Sequence, residues 1–244
     1  MKVALTLLIA PLLSSFFMMA GSSLLTTITS LRLNSIGFED VMIALVASSY
    51  YTGMMLGSFK VEHLIARVGH GRAFSVFISL LSFSPMVPPL LDSQIMWMAA
   101  RMCSGFALAG LYVVLESWIL SVSTDKYRGR FLALYIIALS FGAIAGQQFL
   151  NVADSKSLIP FCLVCLALSI STLPFSLSKV KPPIVHKVSE MSLMAVFRYS
   201  PVGFYGCVLS GILVSSMFSM YPVVFQDANF SMFQISQIVA MLNM

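Results

Sequence analysis

The sequence predicts an all-α protein, a polytopic bundle of transmembrane helices. Three observations predict this fold class. Only 9% of the residues are charged, 59% are hydrophobic, and the mean hydropathy is +0.94. The charges fall in short clusters, and the apolar runs between them are about 20 residues long, enough to cross a hydrocarbon core of about 30 Å. A helix is the expected form of each run, because it satisfies its own backbone hydrogen bonds where no water can.

Eight apolar runs follow one another, and seven of them are long enough to span a bilayer. The predicted spans are Val3–Leu31, Asp40–Lys60, Arg72–Asp92, Gln94–Val122, Phe131–Leu150, Leu158–Leu177 and Val202–Phe225. An eighth run begins near Phe233 and reaches Met244, which is about half a span. Helix breakers separate the runs, as at Asn34 and Gly37 after the first one.

The distribution of lysine and arginine predicts the orientation. With the N-terminus inside, the cytoplasmic segments hold eleven of the fourteen Lys and Arg residues, and the outer loops hold two, Arg32 and Lys156. The remaining cation, Arg101, lies within a span. We therefore expect a multi-pass protein of the cell inner membrane with a cytoplasmic N-terminus. The net charge of +5 reflects this topology and not a nucleic-acid partner.

One inter-helix segment is longer than the others, a basic and proline-containing stretch after the sixth span. We therefore divide the chain into a six-helix transmembrane bundle (1–178), a cytoplasmic linker (179–199) and the start of a second bundle (200–244). The third part holds the seventh helix and part of an eighth. We therefore expect two helical bundles joined by a cytoplasmic linker.

The third part resembles the beginning of the chain. With a shift of 192 residues, Asn34 falls on Gln226 and Phe38 falls on Phe230. In both copies a helix ends in a short polar loop and the next helix follows. Six helices, a linker and a parallel second copy are the plan of a two-bundle secondary transporter.

The segment between the second and third spans resembles a loop of the major facilitator superfamily, G-x-L-x-D-R-x-G-R-K. Leu64, Arg67 and Gly69 match this pattern, whereas Glu62 and Ala66 replace its first Gly and its Asp. The missing Asp weakens the charge relay that this loop forms in the family.

Two further segments carry the same resemblance. Gly69 to Phe74 reads G-H-x-R-A-F, a form typical of the bacterial YcaD-like branch, and Arg101 to Gly105 is similar to the R-x-x-x-G motif of the fourth helix. The resemblance implies two six-helix bundles and secondary active transport of a small solute by alternating access. It also implies a monomer when full length, and no catalytic residue, cofactor or metal. Substrate, direction and coupling ion, including a coupling proton, are left open.

The candidate residues for a cytoplasmic gate are Arg67, Gly69, Arg72, Glu116, Arg128 and Arg130. Gly69 allows a tight turn between two helices. The arginines can bind carboxylates or helix C-terminal carbonyls at the inner rim, with Glu116 as a candidate partner. The alternative is that these cations only fix the topology.

Arg101 is the strongest candidate for the substrate cavity. It is the ionisable residue that lies well inside a span, about 10 Å from Gln94 along the helix axis. A charge there costs at least a few kcal/mol unless it faces a wet cavity or a partner. The alternatives are that it snorkels outward or braces the first helix through backbone carbonyls.

The other cavity candidates are Gln147, Tyr50, Tyr51, Ser22 and Thr26. Ser22, Thr26 and Thr29 share one face of the first helix. Their hydroxyls can line a cavity or bond back to carbonyls of their own helix. Gln147 lies at a depth similar to that of Arg101, so both can face one cavity. Trp118, near the inner end of the fourth span, is expected to anchor at the membrane interface.

Three rival functions are compared with the transporter. An intramembrane enzyme is disfavoured, because His63, His70 and His186 lie in cytoplasmic segments and no span carries two central acids. A seven-helix receptor with a retinal-type Schiff base needs a lysine in the seventh span, which has none. The third rival is a non-transporting fragment. A carrier of this family has about twelve helices, so we expect a truncated chain that does not transport by itself.

Overall fold

A computed structural model of the protein describes residues 2–91, 93–152, 157–177 and 193–243. The predicted loop residues that lie outside these ranges are Asp92, Lys156, Lys179, Lys181, His186 and Lys187. Seven helices of the described chain are long and apolar enough to cross a membrane, and an eighth apolar helix is shorter. The predicted all-α transmembrane bundle is confirmed.

The helices are α1 (Lys2–Ser35), α2 (Asp40–Val68), α3 (His70–Phe83), α4 (Gln94–Ser121), α5 (Arg128–Gln148), α6 (Ile159–Ser176), α7 (Pro201–Asp227) and α8 (Met232–Met241). Shorter helical pieces are Ser84–Met86 and Pro88–Leu91 after α3, Phe149–Asn151 after α5, and Leu193–Tyr199 before α7. The last of these lies within the stretch predicted as a linker.

The helix α2 is longer than predicted. It continues beyond Lys60 to Val68, because no helix breaker occurs before Gly69 and because Val61 and Ile65 are buried in the core. Most of the segment predicted as a loop, including Arg67, is therefore helical.

Gly69 alone joins α2 to α3. Its φ of 83° is in the left-handed region, where a Cβ is strained. Its N–H donates to the carbonyl of Ile65 at 2.8 Å, and its carbonyl accepts from the N–H of Ala73 at 3.0 Å. The predicted tight turn is present.

The helix α5 also begins earlier than predicted. It starts at Arg128 and not at Phe131, so Arg128 and Arg130 lie in its first turn and the predicted loop position is wrong. The backbone N–H groups of Tyr127 and Arg128 both donate to the carbonyl of Thr124, at 2.8 and 3.0 Å, which starts the helix within the polar segment.

The first six helices pack around α1 and α4. The helix α2 lies along α4, α1 contacts α5 and α6, and α3 contacts α4 and α6. Aromatic side chains fill the core between α3, α4 and α6: Trp97 lies 6.0 Å from Phe161, and Phe74 stacks on Phe175 at 3.9 Å, ring centroid to ring centroid. This core fixes α4, which carries the site described below.

Trp118 belongs to this core, so its predicted role as an interface anchor is wrong. It is 4% exposed, and its ring meets Phe175 at 4.4 Å in an edge-on arrangement. Tertiary packing against α6 determines its position here, although its depth along α4 suggests the interface.

Small residues let α1 approach α5. A Cβ added at Gly142 would overlap the carbonyl oxygen of Phe16, and one added at Gly146 would overlap that of Ala20. The spacing of the two glycines therefore acts as a close-packing motif.

The turns α1–α2 and α7–α8 have the same backbone geometry at a shift of 192 residues. Gly37 and Asn229 occupy equivalent positions with φ of 87° and 61°. The residues that follow them, Phe38 and Phe230, each donate a backbone N–H to the carbonyl five residues earlier, at 3.1 and 3.0 Å. Asparagine tolerates this left-handed conformation better than most non-glycine residues. The repeat predicted from sequence therefore holds for the backbone of this turn.

Candidate functional site

The guanidinium of Arg101 is buried where α4 meets α1 and α2. The residue is 5% exposed, so it does not snorkel to the surface. One terminal nitrogen, Nη2, donates to the Thr26 hydroxyl at 3.4 Å, and Cζ lies 4.5 Å from the centroid of the Tyr50 ring. Arg101 therefore contacts α1 through a hydroxyl group and α2 through an aromatic face.

Two more predicted residues complete this group. Tyr50 is 8% exposed, and its phenol lies near the side chain of Ser22. The ring of Tyr51 packs edge-on against that of Tyr50, with 5.0 Å between centroids. Five of the six predicted cavity residues thus lie together: Arg101, Tyr50, Tyr51, Ser22 and Thr26. We call these five residues the Arg101 cluster.

The charge of this cluster is unbalanced. Among the described residues, the recorded contacts of the Arg101 side chain are to a hydroxyl and an aromatic ring, both neutral. Its Nε is buried without a hydrogen-bond partner in the described part of the chain. A buried cation without a counter-charge is costly, and its free N–H group is a ready donor to an acceptor that carries negative charge.

The hydroxyl groups of α1 also bond within their own helix. Thr26 donates to the carbonyl of Ser22 at 3.1 Å, and Thr29 donates to the carbonyl of Leu25 at 2.7 Å. For Thr26 both predicted alternatives hold at once, since its oxygen also accepts from Arg101.

Gln147, the sixth predicted cavity residue, lies at a different contact. It is 1% exposed, and its Nε2 donates to the hydroxyl of Ser23 at 2.6 Å and to the carbonyl of Ser23 at 3.2 Å. Its Oε1 has no partner among the described residues. Gln147 thereby ties α5 to α1, and no contact in the described chain joins it to Arg101.

A cleft of about 80 Å³ lies between α2 and α7, next to the Arg101 cluster. Tyr51 lines it, together with a set of serine hydroxyls: Ser48, Ser215, Ser216 and Ser219. The serines of α7 were not among the predicted cavity residues. Tyr51 belongs both to the cleft and to the cluster, so the two regions are adjacent.

Polar side chains join α7 to α1 at the predicted outer end of the bundle. Nδ2 of Asn34 donates to Oδ1 of Asp227 at 2.8 Å and to Oε1 of Gln226 at 3.1 Å. Asn34 and Gln226 are the residues that the 192-residue shift makes equivalent. The shift was readable from the sequence, but the contact between the equivalent residues was not predicted.

A second polar contact at the same end joins α8 to α5 and the turn that follows it. Nδ2 of Asn151 donates to the hydroxyl of Ser236 at 3.1 Å, and Nε2 of Gln237 donates to Oε1 of Gln148 at 2.9 Å. We call these bonds and those of Asn34 the outer polar contacts.

The predicted gate residues lie at the opposite end of the bundle. Five of them are exposed: Arg67, Arg72, Glu116, Arg128 and Arg130. No ion pair is recorded for these five within the described ranges. The guanidinium of Arg130 lies 5.8 Å from the ring centroid of Tyr127. A cytoplasmic gate therefore stays a prediction.

Glu116 lies within electrostatic range of Tyr135 on α5. The phenol of this tyrosine is buried, and its hydroxyl has no partner among the described residues. Sequence reasoning missed Tyr135, since a lone tyrosine in an apolar helix gives no signal of its own.

Comparisons with known proteins agree with this architecture. The profile of the Major Facilitator Superfamily matches residues 12–244. An MFS-type transporter of Enterobacter sp. strain 638 is 27% identical over 203 residues, and the MFS-type transporter YcaD of Salmonella enteritidis PT4 is 26% identical over 203 residues. Each alignment covers 82% of this chain and 53% of the relative, so the chain spans about half the length of the curated relatives it matches.

A solved structure shares the fold. The crystal structure of a D-xylose-proton symporter is similar with a TM-score of 0.63 at 14% sequence identity, over 99% of this chain and 66% of that one. The match over residues 12–244, the seven membrane-spanning helices and the relatives found agree with the predicted YcaD-like resemblance. This multi-pass membrane protein belongs to the major facilitator superfamily of transporters.

Proposed function

We propose that this chain forms the first bundle and the start of the second bundle of a secondary active transporter that moves a small solute by alternating access. The proposed parts are the bundle 1–178, the linker 179–199 and the second part 200–244. The family favours transport over enzymatic catalysis. The proposed partners are a small solute, the lipid bilayer and a coupling proton, the last because the structural neighbour is a proton symporter.

The observation that carries this proposal is the one-sided contact between α7 and the first bundle. The buried residues of α7 are Ser219, Pro222 and Val223, all in its last third. Over 201–214, every residue is exposed except the half-buried Phe204. A transporter whose two bundles rock about a central site needs two parts that touch at one end and separate toward the other. The first bundle and α7 have this arrangement.

The proposed solute site is the Arg101 cluster with the adjacent cleft. The cluster belongs to α1, α2 and α4, whereas α7 supplies Ser215, Ser216 and Ser219 to the cleft. A solute held between these surfaces would touch both moving parts. That position lets binding favour one arrangement of the two parts over the other.

The outer polar contacts are the proposed outer gate. Most of them join neutral amide and hydroxyl groups, and bonds of this kind contribute about 1 kcal/mol each to stability. All of their donors and acceptors except the buried hydroxyl of Ser236 belong to residues that are at least partly accessible, so water can replace most of the partners when the contact opens. The gate can therefore break without leaving a buried charge unpaired.

Cross-linking this gate is expected to close one side of the protein. In a variant without native cysteines, Asn34→Cys and Gln226→Cys are joined by a short bismethanethiosulfonate. A genetically encoded strained-alkene residue in place of Ser216 in the cleft reports access to a membrane-impermeant tetrazine, a reaction that thiol reagents do not block. We expect outer labelling of position 216 to fall at least about tenfold, corresponding to about 1.4 kcal/mol, and reductant to restore it. Inner labelling should persist.

The control for this experiment carries Asn34→Cys alone, which reacts with the reagent without bridging the helices. Equal outer labelling of position 216 in the bridged and unbridged proteins would contradict alternating access through this gate. The measurement needs no knowledge of the solute.

The orientation is tested separately. We propose an inner-membrane protein whose N-terminus is cytoplasmic, because eleven of fourteen cations fall on that side. Reporter fusions after Lys126 and Lys187 should be active in the cytoplasm, and fusions after Asn34 and Lys156 outside it. A cytoplasmic signal after Lys156 would overturn the topology.

The proposed inner gate uses Arg67 and Arg72 near the Gly69 turn, with Glu116 as the acidic partner and with Arg128 and Arg130 on α5. All five charged residues are exposed. Charged side chains that stay solvated can form and break ion pairs at little cost, since exposed pairs contribute about 0–1 kcal/mol. Such pairs suit a gate that must close reversibly.

A further inference from the structure

We infer that the transported solute is a small organic anion, and that Arg101 binds its carboxylate or phosphate group. This inference rests on the proposed transport function and names the substrate class for it. It is supported by the contacts of the Arg101 cluster.

The charge of Arg101 is not compensated by the described residues. The side chain of Arg101 is 5% exposed within an apolar helix, and a guanidinium keeps its proton even when buried. In the described part of the chain its contacts are Thr26 and Tyr50, both neutral. The site therefore holds one positive charge that a bound anion would neutralise.

The hydrogen-bond donors of Arg101 have a geometry that suits an anionic group. Cζ of Arg101 lies over the Tyr50 ring, 4.5 Å from its centroid, and this contact leaves N–H groups of the guanidinium for other acceptors. Of these groups, Nε has no partner among the described residues, and the bond from Nη2 to Thr26 is long at 3.4 Å. Parallel N–H groups of arginine match the two oxygens of a carboxylate or phosphate.

Neutral and cationic solutes fit this site less well than an anion. A neutral solute would leave the charge unbalanced, and a cation would be repelled. A purely structural arginine is expected to donate to backbone carbonyls or pair with an acid, and Arg101 contacts a side-chain hydroxyl and a ring instead. The serines of the adjacent cleft can bond to the uncharged part of the solute.

Matched pairs of compounds test this inference. The pairs are gluconate with sorbitol, benzoate with benzyl alcohol, and glycerol 3-phosphate with glycerol, so that each pair differs chiefly in its anionic group. Binding is measured on the purified protein as ligand-dependent thermal stabilisation, and flux is measured in proteoliposomes. We expect the anion of at least one pair to bind at least about tenfold more tightly than its neutral partner.

The pair that responds distinguishes a carboxylate from a phosphate. Arg101→Gln should abolish the preference for the anion, and Arg101→Lys should retain only part of it, because the ammonium lacks the paired N–H groups. Arg198→Gln, which removes an exposed arginine, is the matched control and should leave the preference unchanged. Melting curves without ligand show whether each variant folds.

The possible results separate this inference from the proposed function. Equal binding within every pair, or an unchanged preference in a folded Arg101→Gln protein, overturns the anion site. Saturable flux of a neutral compound that anions do not inhibit also overturns it, although transport itself then stands. Arg101-dependent anion binding without flux supports the site and agrees with the expectation that this chain does not transport by itself.

Discussion

Replacement of Gly105 by alanine is expected to destabilise the bundle by about 3 kcal/mol. A Cβ at this position would overlap the carbonyl oxygen of Tyr50 on α2. Because that oxygen belongs to the backbone, it cannot rotate away as a side chain would. The helices α2 and α4 would have to separate along their contact, which would also displace Tyr50 from the Arg101 guanidinium.

The measurement is thermal unfolding of the purified variant. Gly53→Ala should give a similar loss, since a Cβ there would overlap the carbonyl oxygen of Met102. Gly211→Ala on α7 is the matched control, because nothing lies within 4 Å of its added Cβ. Alanine there should gain up to about 1 kcal/mol from helix propensity. Equal melting of Gly105→Ala and Gly211→Ala would contradict the close-contact interpretation.

Replacement of Arg101 by methionine is expected to raise the stability of the ligand-free protein by about 1–3 kcal/mol. Methionine has a similar length, fills the space under the Tyr50 ring and removes a buried charge that the described residues do not neutralise. The same variant should lose the discrimination between anions and neutral compounds. Gain of stability with loss of binding is typical of residues retained for function.

The matched control for this variant is Arg198→Met, because Arg198 is exposed and its replacement should change stability by less than about 0.5 kcal/mol. Unfolding in denaturant or by heat gives both values. Lower stability in Arg101→Met would identify the arginine as a structural brace between α1, α2 and α4.

The transmembrane helices were readable from the sequence because lipid imposes one composition on every span. The ends of the helices were harder to predict, because hydropathy identifies only the apolar part of each helix. The last two turns of α2, up to Val68, are amphipathic and not apolar, so hydropathy misses them although Val61 and Ile65 keep them helical. The first turn of α5 at Arg128 was missed because its charges resemble a loop.

The site was partly predictable. Arg101 was identified because a charge inside a span is costly, and Ser22 and Thr26 because they share a helix face. The rotation of each helix about its axis is not encoded in a single sequence, so the contact of Gln147 with Ser23 instead of Arg101 could not be foreseen.

The contacts between distant parts of the chain were beyond sequence reasoning. Nothing local indicates that Asn34 meets Gln226 and Asp227, or that Asn151 meets Ser236. Such pairs depend on how α7 and α8 dock on the first bundle. That docking is a property of the assembled helices and not of any one segment.

The bond between Asn34 and Gln226 has a consequence for the internal symmetry of the protein. In the proposed arrangement of two related bundles, equivalent positions touch only near the axis that relates the bundles, so we expect this bond to lie close to a pseudo-two-fold axis at the predicted outer end. A side chain on such an axis meets its own counterpart. An amide suits this position because it both donates and accepts, whereas two carboxylates or two ammonium groups would repel each other. In a symmetric ancestor built from two identical halves, one amide at this position could therefore have bonded to its own copy.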